Sequence, residues 1–150
     1  MVYFREEQRF RQTWLWALLL GIFAAAIGGV WIANRYAGAS SLVLLTPIAL
    51  WLFSLKMITE VRDDELMIQF VWLWKARHIQ ISEIRGAYSR QYSPIGEFGG
   101  WGIRWSLGGG MAYNVSGSRG VQLELADGKK VLVGSQRSEE LASAITARMA

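Results

Sequence analysis

Side chains suited to catalysis or metal binding are scarce in this 150-residue chain: there is no cysteine, a single histidine, His78, and one acidic run, Asp63-Asp64-Glu65. Without cysteine there is no thiolate nucleophile, disulfide or thiolate metal site, and one histidine leaves the usual zinc spacings unfilled. A general base needs a positioned partner, and the sequence offers His78 none, so it reads as a strand histidine with a structural role. The three acids have no further oxygen ligands at a recognisable spacing, so a turn entering a strand accounts for them better than a cation does. Residues 96–110, GEFGGWGIRWSLGGG, have enough glycine to expose amides to a phosphate. They contain neither a GxxxxGK[ST] pattern nor a strand-GxGxxG-helix unit, and hairpin turns account for the glycines. No catalytic residues, metal ligands, cofactor or small-molecule substrate are expected.

Binding is the chemistry that remains. Trp101, Arg104, Trp105, Tyr113 and Arg119 are interleaved near these glycines and form a candidate partner-binding rim, because aromatic residues and arginine dominate interface hot spots. Core packing of Trp101 or Trp105 is the alternative. From residue 59 onward the chain has 11 Lys and Arg against 10 Asp and Glu, so the formal charge of +4 arises mostly near the N-terminus. That balance gives no reason to expect nucleic acid. A phosphoinositide pocket needs several converging cations, and strand alternation would put Lys75 and Arg77 on one face and His78 on the other. Asn114-Val115-Ser116 matches a glycosylation acceptor, which a cytoplasmic location would leave unmodified.

The elements that must position these residues divide into two kinds. Residues 13–33, TWLWALLLGIFAAAIGGVWIA, carry no charge and would extend about 31 Å as a helix, roughly one hydrocarbon thickness. Residues 41–58 form a second apolar stretch, with a kink expected at Pro47. The short loop 34–40 between them implies an antiparallel transmembrane hairpin. A secretory signal with a cleavage site near Ala37-Gly38-Ala39 is the competing reading, disfavoured by the length of the apolar run and the second stretch behind it. Arg5, Arg9 and Arg11 precede the hairpin and Lys56 and Arg62 follow it, whereas Arg35 alone lies between the spans; both termini should be cytoplasmic. Trp14, Trp16, Trp31 and Tyr36 fit as interfacial anchors. Ala17, Gly21, Ala25, Gly29 and Ala33 recur every fourth residue as a ridge permitting close helix approach, either to the second helix or to another protein.

Residues 1–12 read as a cytoplasmic N-terminal segment and residues 59–150 as a β-rich cytoplasmic domain. Strands are expected at residues 65–71, 75–81, 84–92, 102–106, 111–114, 121–125 and 130–133, the last two joined through Asp127-Gly128 in a hairpin. A helix over 138–149 should start with Ser138 and two acids and bury Leu141 and Ile145.

The segments ITEVRDDELMIQF, HIQISEIRGAYSRQY and VQLELADGKKVLVGSQRSEELASAI, with the N-terminal FREEQRFRQTWLW, resemble bacterial membrane proteins of unknown function in which two transmembrane helices precede a pleckstrin-homology-like domain. The resemblance implies an α+β protein of the plasma membrane: a helical hairpin, then an antiparallel β-sandwich or barrel capped by a C-terminal helix. It carries no catalytic residues. The expected function is a membrane-anchored interaction or scaffolding module without catalysis, whose partners are membrane lipids and another membrane protein or a second copy. The alternatives are an accessory subunit of a membrane transporter or enzyme complex, or a lipid-headgroup-binding domain.

Overall fold

The computed structural model describes residues 1–10, 13–32, 35–106 and 110–149, and at 14–15, 29–32, 35–42 and 44 the backbone alone. The chain divides into two compact units, one made of Met1–Arg9 with Lys56–Ala150, the other of Phe10–Leu55.

The second unit is a pair of helices, α1 (Thr13–Ile32) and α2 (Arg35–Ser54). They pack together, with the Trp16 and Phe53 rings edge to face at 5.8 Å. Among the described residues no helix is long and apolar enough to cross a membrane. The expected transmembrane hairpin is therefore corrected, and with it the plasma-membrane location and the topology drawn from flanking charge. The small-residue ridge is described in part. Ala17, Gly21 and Ala25 are exposed, and a Cβ added at Gly21 would meet nothing within 4 Å, so these positions do not pack on α2. Ala33 lies outside the described residues, as do the surroundings of Gly29.

The first unit is α+β, with two sheets and a C-terminal helix. One sheet has the order β1 (Val2–Arg9), β2 (Lys56–Arg62), β3 (Glu65–Val71), β4 (Arg77–Gln80), all antiparallel. A 3-10 turn, Ile81–Glu83, leads into β5 (Ile84–Gln91) and the second sheet. The short helix α3 (Pro94–Phe98), β6 (Gly102–Trp105), β7 (Gly110–Asn114), β8 (Arg119–Leu125) and β9 (Lys130–Gly134) follow, with sheet order β5-β8-β9-β7-β6. Because β9 inserts between β7 and β8, it runs parallel to β7. The second sheet is thus mixed, which corrects the expected all-antiparallel sandwich. Helix α4 (Ser138–Met149) has two acids in its first turn and Arg148 in its last, both favourable with the helix dipole. It buries Leu141 and Ile145 against β5, β8 and β1.

Two strands were absent from the sequence reading. Strand β1 buries Phe4, Glu6 and Gln8 on one face, so its alternation has polar residues inside and gives no hydrophobic period. Five consecutive buried residues, Met57–Val61, give β2 no alternation either. The bases read as topology signals are sheet ion pairs instead: Arg5 with Glu60 at 3.1 Å, Arg9 and Lys56 with Glu7 at 3.3 and 3.0 Å, Arg62 with Glu60 at 2.8 Å. Arg11 lies outside the described residues.

The inward polar residues of β1 tie the first sheet to the connection between β9 and α4. Glu6 accepts hydrogen bonds from the Ser135 hydroxyl at 2.5 Å and the Gln136 amide at 2.9 Å, and Gln8 Nε2 donates to the Gly134 carbonyl at 2.8 Å. Gly134 leaves room for this arrangement, since a Cβ there would stand 2.9 Å from that of Asn114. Replacing Glu6 by alanine strands these donors, each worth about 1–3 kcal/mol when left buried without an acceptor. Urea unfolding of Glu6→Ala should show a loss of that order, and Ile145→Ala, a core truncation, a loss of about 2–5 kcal/mol. An unchanged midpoint for Glu6→Ala would contradict the anchoring role.

Candidate functional site

The β3–β4 connection carries an unusual amount of exposed apolar surface. Strand β3 ends at Val71, and the Leu73 and Trp74 amides close back on the Phe70 carbonyl at 3.3 and 3.2 Å. This tight turn holds Trp72 at φ 66°, a left-handed conformation that is costly for a bulky side chain. It also puts Trp72 and Trp74 into solvent, at 75% and 71% exposure, with Leu73 between them. A cluster of this kind is characteristic of a surface that meets something.

Beyond the turn, Lys75, Ala76, Arg77 and His78 form one wall of a groove of about 610 Å³. Its floor is one face of the β6–β7 hairpin. Ile103 pairs with Tyr113 and Trp105 with Met111 across that hairpin, and all four line the groove. Trp105 is 75% exposed at the lip, while Tyr113 is buried beneath, its ring 6.5 Å from Phe70 and its hydroxyl donating to Met111 Sδ at 3.3 Å. Burial raises the Tyr113 hydroxyl pKa above its ordinary value, and neighbouring Arg77 opposes that rise. Both strands that border the groove are sheet edges: β4 ends the first sheet and β6 the second.

The groove wall is cationic. His78 Nδ1 lies 2.8 Å from Glu65 Oε2, and Arg62 Nη1 3.1 Å from Oε1 of the same carboxylate. Among the described residues no carboxylate pairs with Lys75 or Arg77, and none lines the groove. All three basic residues contribute to its lining, although Arg77 and His78 are consecutive in β4 and alternate across it, His78 being turned to Glu65.

Of the proposed rim, the structure brings Trp105 and Tyr113 together and places the rest elsewhere. Arg104 points away from its groove-lining neighbours Ile103 and Trp105, its Nε donating to the Trp101 carbonyl at 3.0 Å. Trp101 is half-buried, with Nε1 donating to the Gly117 carbonyl at 3.3 Å. Arg119 is exposed on β8 opposite Gln91. Sequence reasoning missed Trp72 and Trp74, although two large aromatics at the end of a strand, beside Lys75, are the signal that could have found them.

The other tempting groups are occupied by structure. Asp63 accepts from the Tyr3 hydroxyl at 2.6 Å and pairs with the chain's ammonium terminus, which holds its carboxyl below the usual range. Among the described residues no group of three His, Asp or Glu is placed to hold a metal. Glycines 96 and 99 belong to α3: the Ser93 hydroxyl caps the Gly96 amide at 3.1 Å, and Gly99 ends the helix at φ 70°. Residues 107–109 lie outside the description. Asn114 is fully buried, its Oδ1 accepting from the Gly102 amide at 2.9 Å, so the acceptor sequence is sealed in the fold.

No protein-family model matches the chain and no curated protein matches it. The resemblance to pleckstrin-homology-like membrane proteins thus has no family match behind it and is corrected.

The Glu65 carboxyl is held below its ordinary value of 4.5, first by the His78 hydrogen bond and then by Arg62. A depressed carboxyl stabilises the fold above its unfolded pKa, and the contribution is lost as pH falls through the folded value, here in the window below 4.5. His78→Gln should move the Glu65 midpoint upward in a carbon-detected NMR titration; an unmoved midpoint would show that the 2.8 Å contact does not operate in solution.

Proposed function

We propose that the chain is a binding module that acts without catalysis, holding a partner protein in the groove between β4 and the β6–β7 hairpin. The observation that carries the reading is the groove itself, about 610 Å³ with Trp74 and Trp105 largely exposed at its margins. Tryptophan is the residue most enriched where binding energy concentrates, because it buries much area for little conformational entropy. Left in water at a strained turn, Trp72 and Trp74 contribute little to folding, so a role in contact accounts for them.

A photo-crosslinking side chain at Trp105 in the native host should yield one discrete protein adduct, and the same group at exposed Tyr88 of β5 should not. Equal or absent adducts at both positions would overturn the reading.

A second reading rests on a separate observation. The exposed ridge of Ala17, Gly21 and Ala25, with open space over Gly21, suits docking of α1 against another chain, as in an accessory subunit of a larger complex. Gly21→Leu should leave thermal stability of the chain undiminished while removing any complex seen by mild co-purification. Unchanged co-purification would eliminate this face.

A further inference from the structure

We propose that the occupant of the groove is an extended acidic peptide segment that adds as a strand to the free edge of β4. This inference rests on the groove being a protein-binding site and deepens it by naming the class of partner.

Three observations converge on this occupant. The first is backbone supply. An edge strand presents alternate N–H and C=O groups with no partner, and β4 is the last strand of its sheet, with Arg77, His78 and Gln80 exposed. Extended peptides bind such edges through main-chain hydrogen bonds, with side-chain pockets giving selectivity.

The second is the floor. A strand laid along β4 directs every other side chain to one face. On that face the Ile103–Tyr113 and Trp105–Met111 pairs offer an apolar bed, so the alternate residues should be aliphatic or aromatic.

The third is charge. Lys75 and Arg77 flank the groove without a carboxylate partner among the described residues, whereas His78 is already engaged by Glu65. An incoming acidic side chain supplies the missing counter-charge, and complementary charge of this kind steers encounter and selects against basic partners. An anionic lipid surface would satisfy the charge and the tryptophans but would leave the β4 edge unused, so the peptide accounts for more of the site.

The test uses the full chain and a fluorescein-labelled peptide alternating glutamate and leucine. Saturable binding is expected, with new hydrogen-exchange protection at the amides of residues 77–80. The Lys75→Glu, Arg77→Glu double variant should bind at least about tenfold more weakly, since both charges are reversed beside the ligand. A counterpart peptide with lysine in place of glutamate should fail to bind, and N-methylation of alternate backbone amides of the acidic peptide should abolish binding. The substituted residues are exposed and in a loop or edge strand, so the double variant should fold, which a thermal melt verifies. Equal affinity for the lysine peptide, indifference to N-methylation, no binding at all, or capture by phosphatidylglycerol vesicles without peptide binding would each overturn the proposal. A discrete adduct at Trp105 together with any of these results leaves the binding module standing and removes only the acidic strand.

Discussion

The fold of the β unit depends on a carboxylate held away from water. Glu6 is nearly buried on a strand whose other inward residues are Phe4 and Gln8, and its two acceptor contacts reach across to Ser135 and Gln136. Removing a charge from water is costly unless hydrogen bonds replace the lost solvation, and here a hydroxyl and a backbone amide do so. Arg137 adds to the same junction, its guanidinium 5.0 Å from the Phe4 ring centre. The first strand is thus fastened to the end of the second sheet and to the start of α4 by polar contacts. The aliphatic core of Leu66, Ile68, Leu123, Leu132 and Ile145 then fills the interior.

That fastening leaves β1 and β5 associated with α4, while β4 and β6 end their sheets beside the groove. Natural sheets blunt free edges with charge, and Arg77 and His78 on β4, with Lys75 just before it, have this character. Here the charges sit next to three exposed tryptophans, Trp72, Trp74 and Trp105, so the charge that blunts the edge adjoins exposed apolar surface.

Legibility in the sequence followed how closely each segment obeyed a simple period. The β8–β9 hairpin was visible because Val121, Leu123 and Leu125 alternate with polar residues and Asp127-Gly128 marks the turn; α4 was visible from its acids and its Leu141–Ile145 stripe. Strand β1 was hidden because its buried positions include Glu6 and Gln8, and β2 because it has no exposed face. The neighbour relation of β7 and β9 was not readable at all, since periodicity describes one strand and never its partner. For the same reason Trp105 and Tyr113 stood out in the sequence without their neighbour in the groove, Trp74, which is distant in sequence. Charge misled in the opposite direction: Arg5, Lys56 and Arg62 suggested topology because their partners Glu60 and Glu7 lie on other strands or two residues away.

The polypeptide departs from the β unit after Arg9 and returns at Lys56, and Glu6 finds its hydroxyl partner 129 residues downstream. A ribosome releases such a chain from its beginning, so the opening strand emerges long before the residues that seal it exist. Its acid stays hydrated until Ser135, 129 residues later, has been made, and closure of the β unit waits for that segment. Such delay slows folding because distant segments must meet before their contacts can compensate for the lost chain freedom.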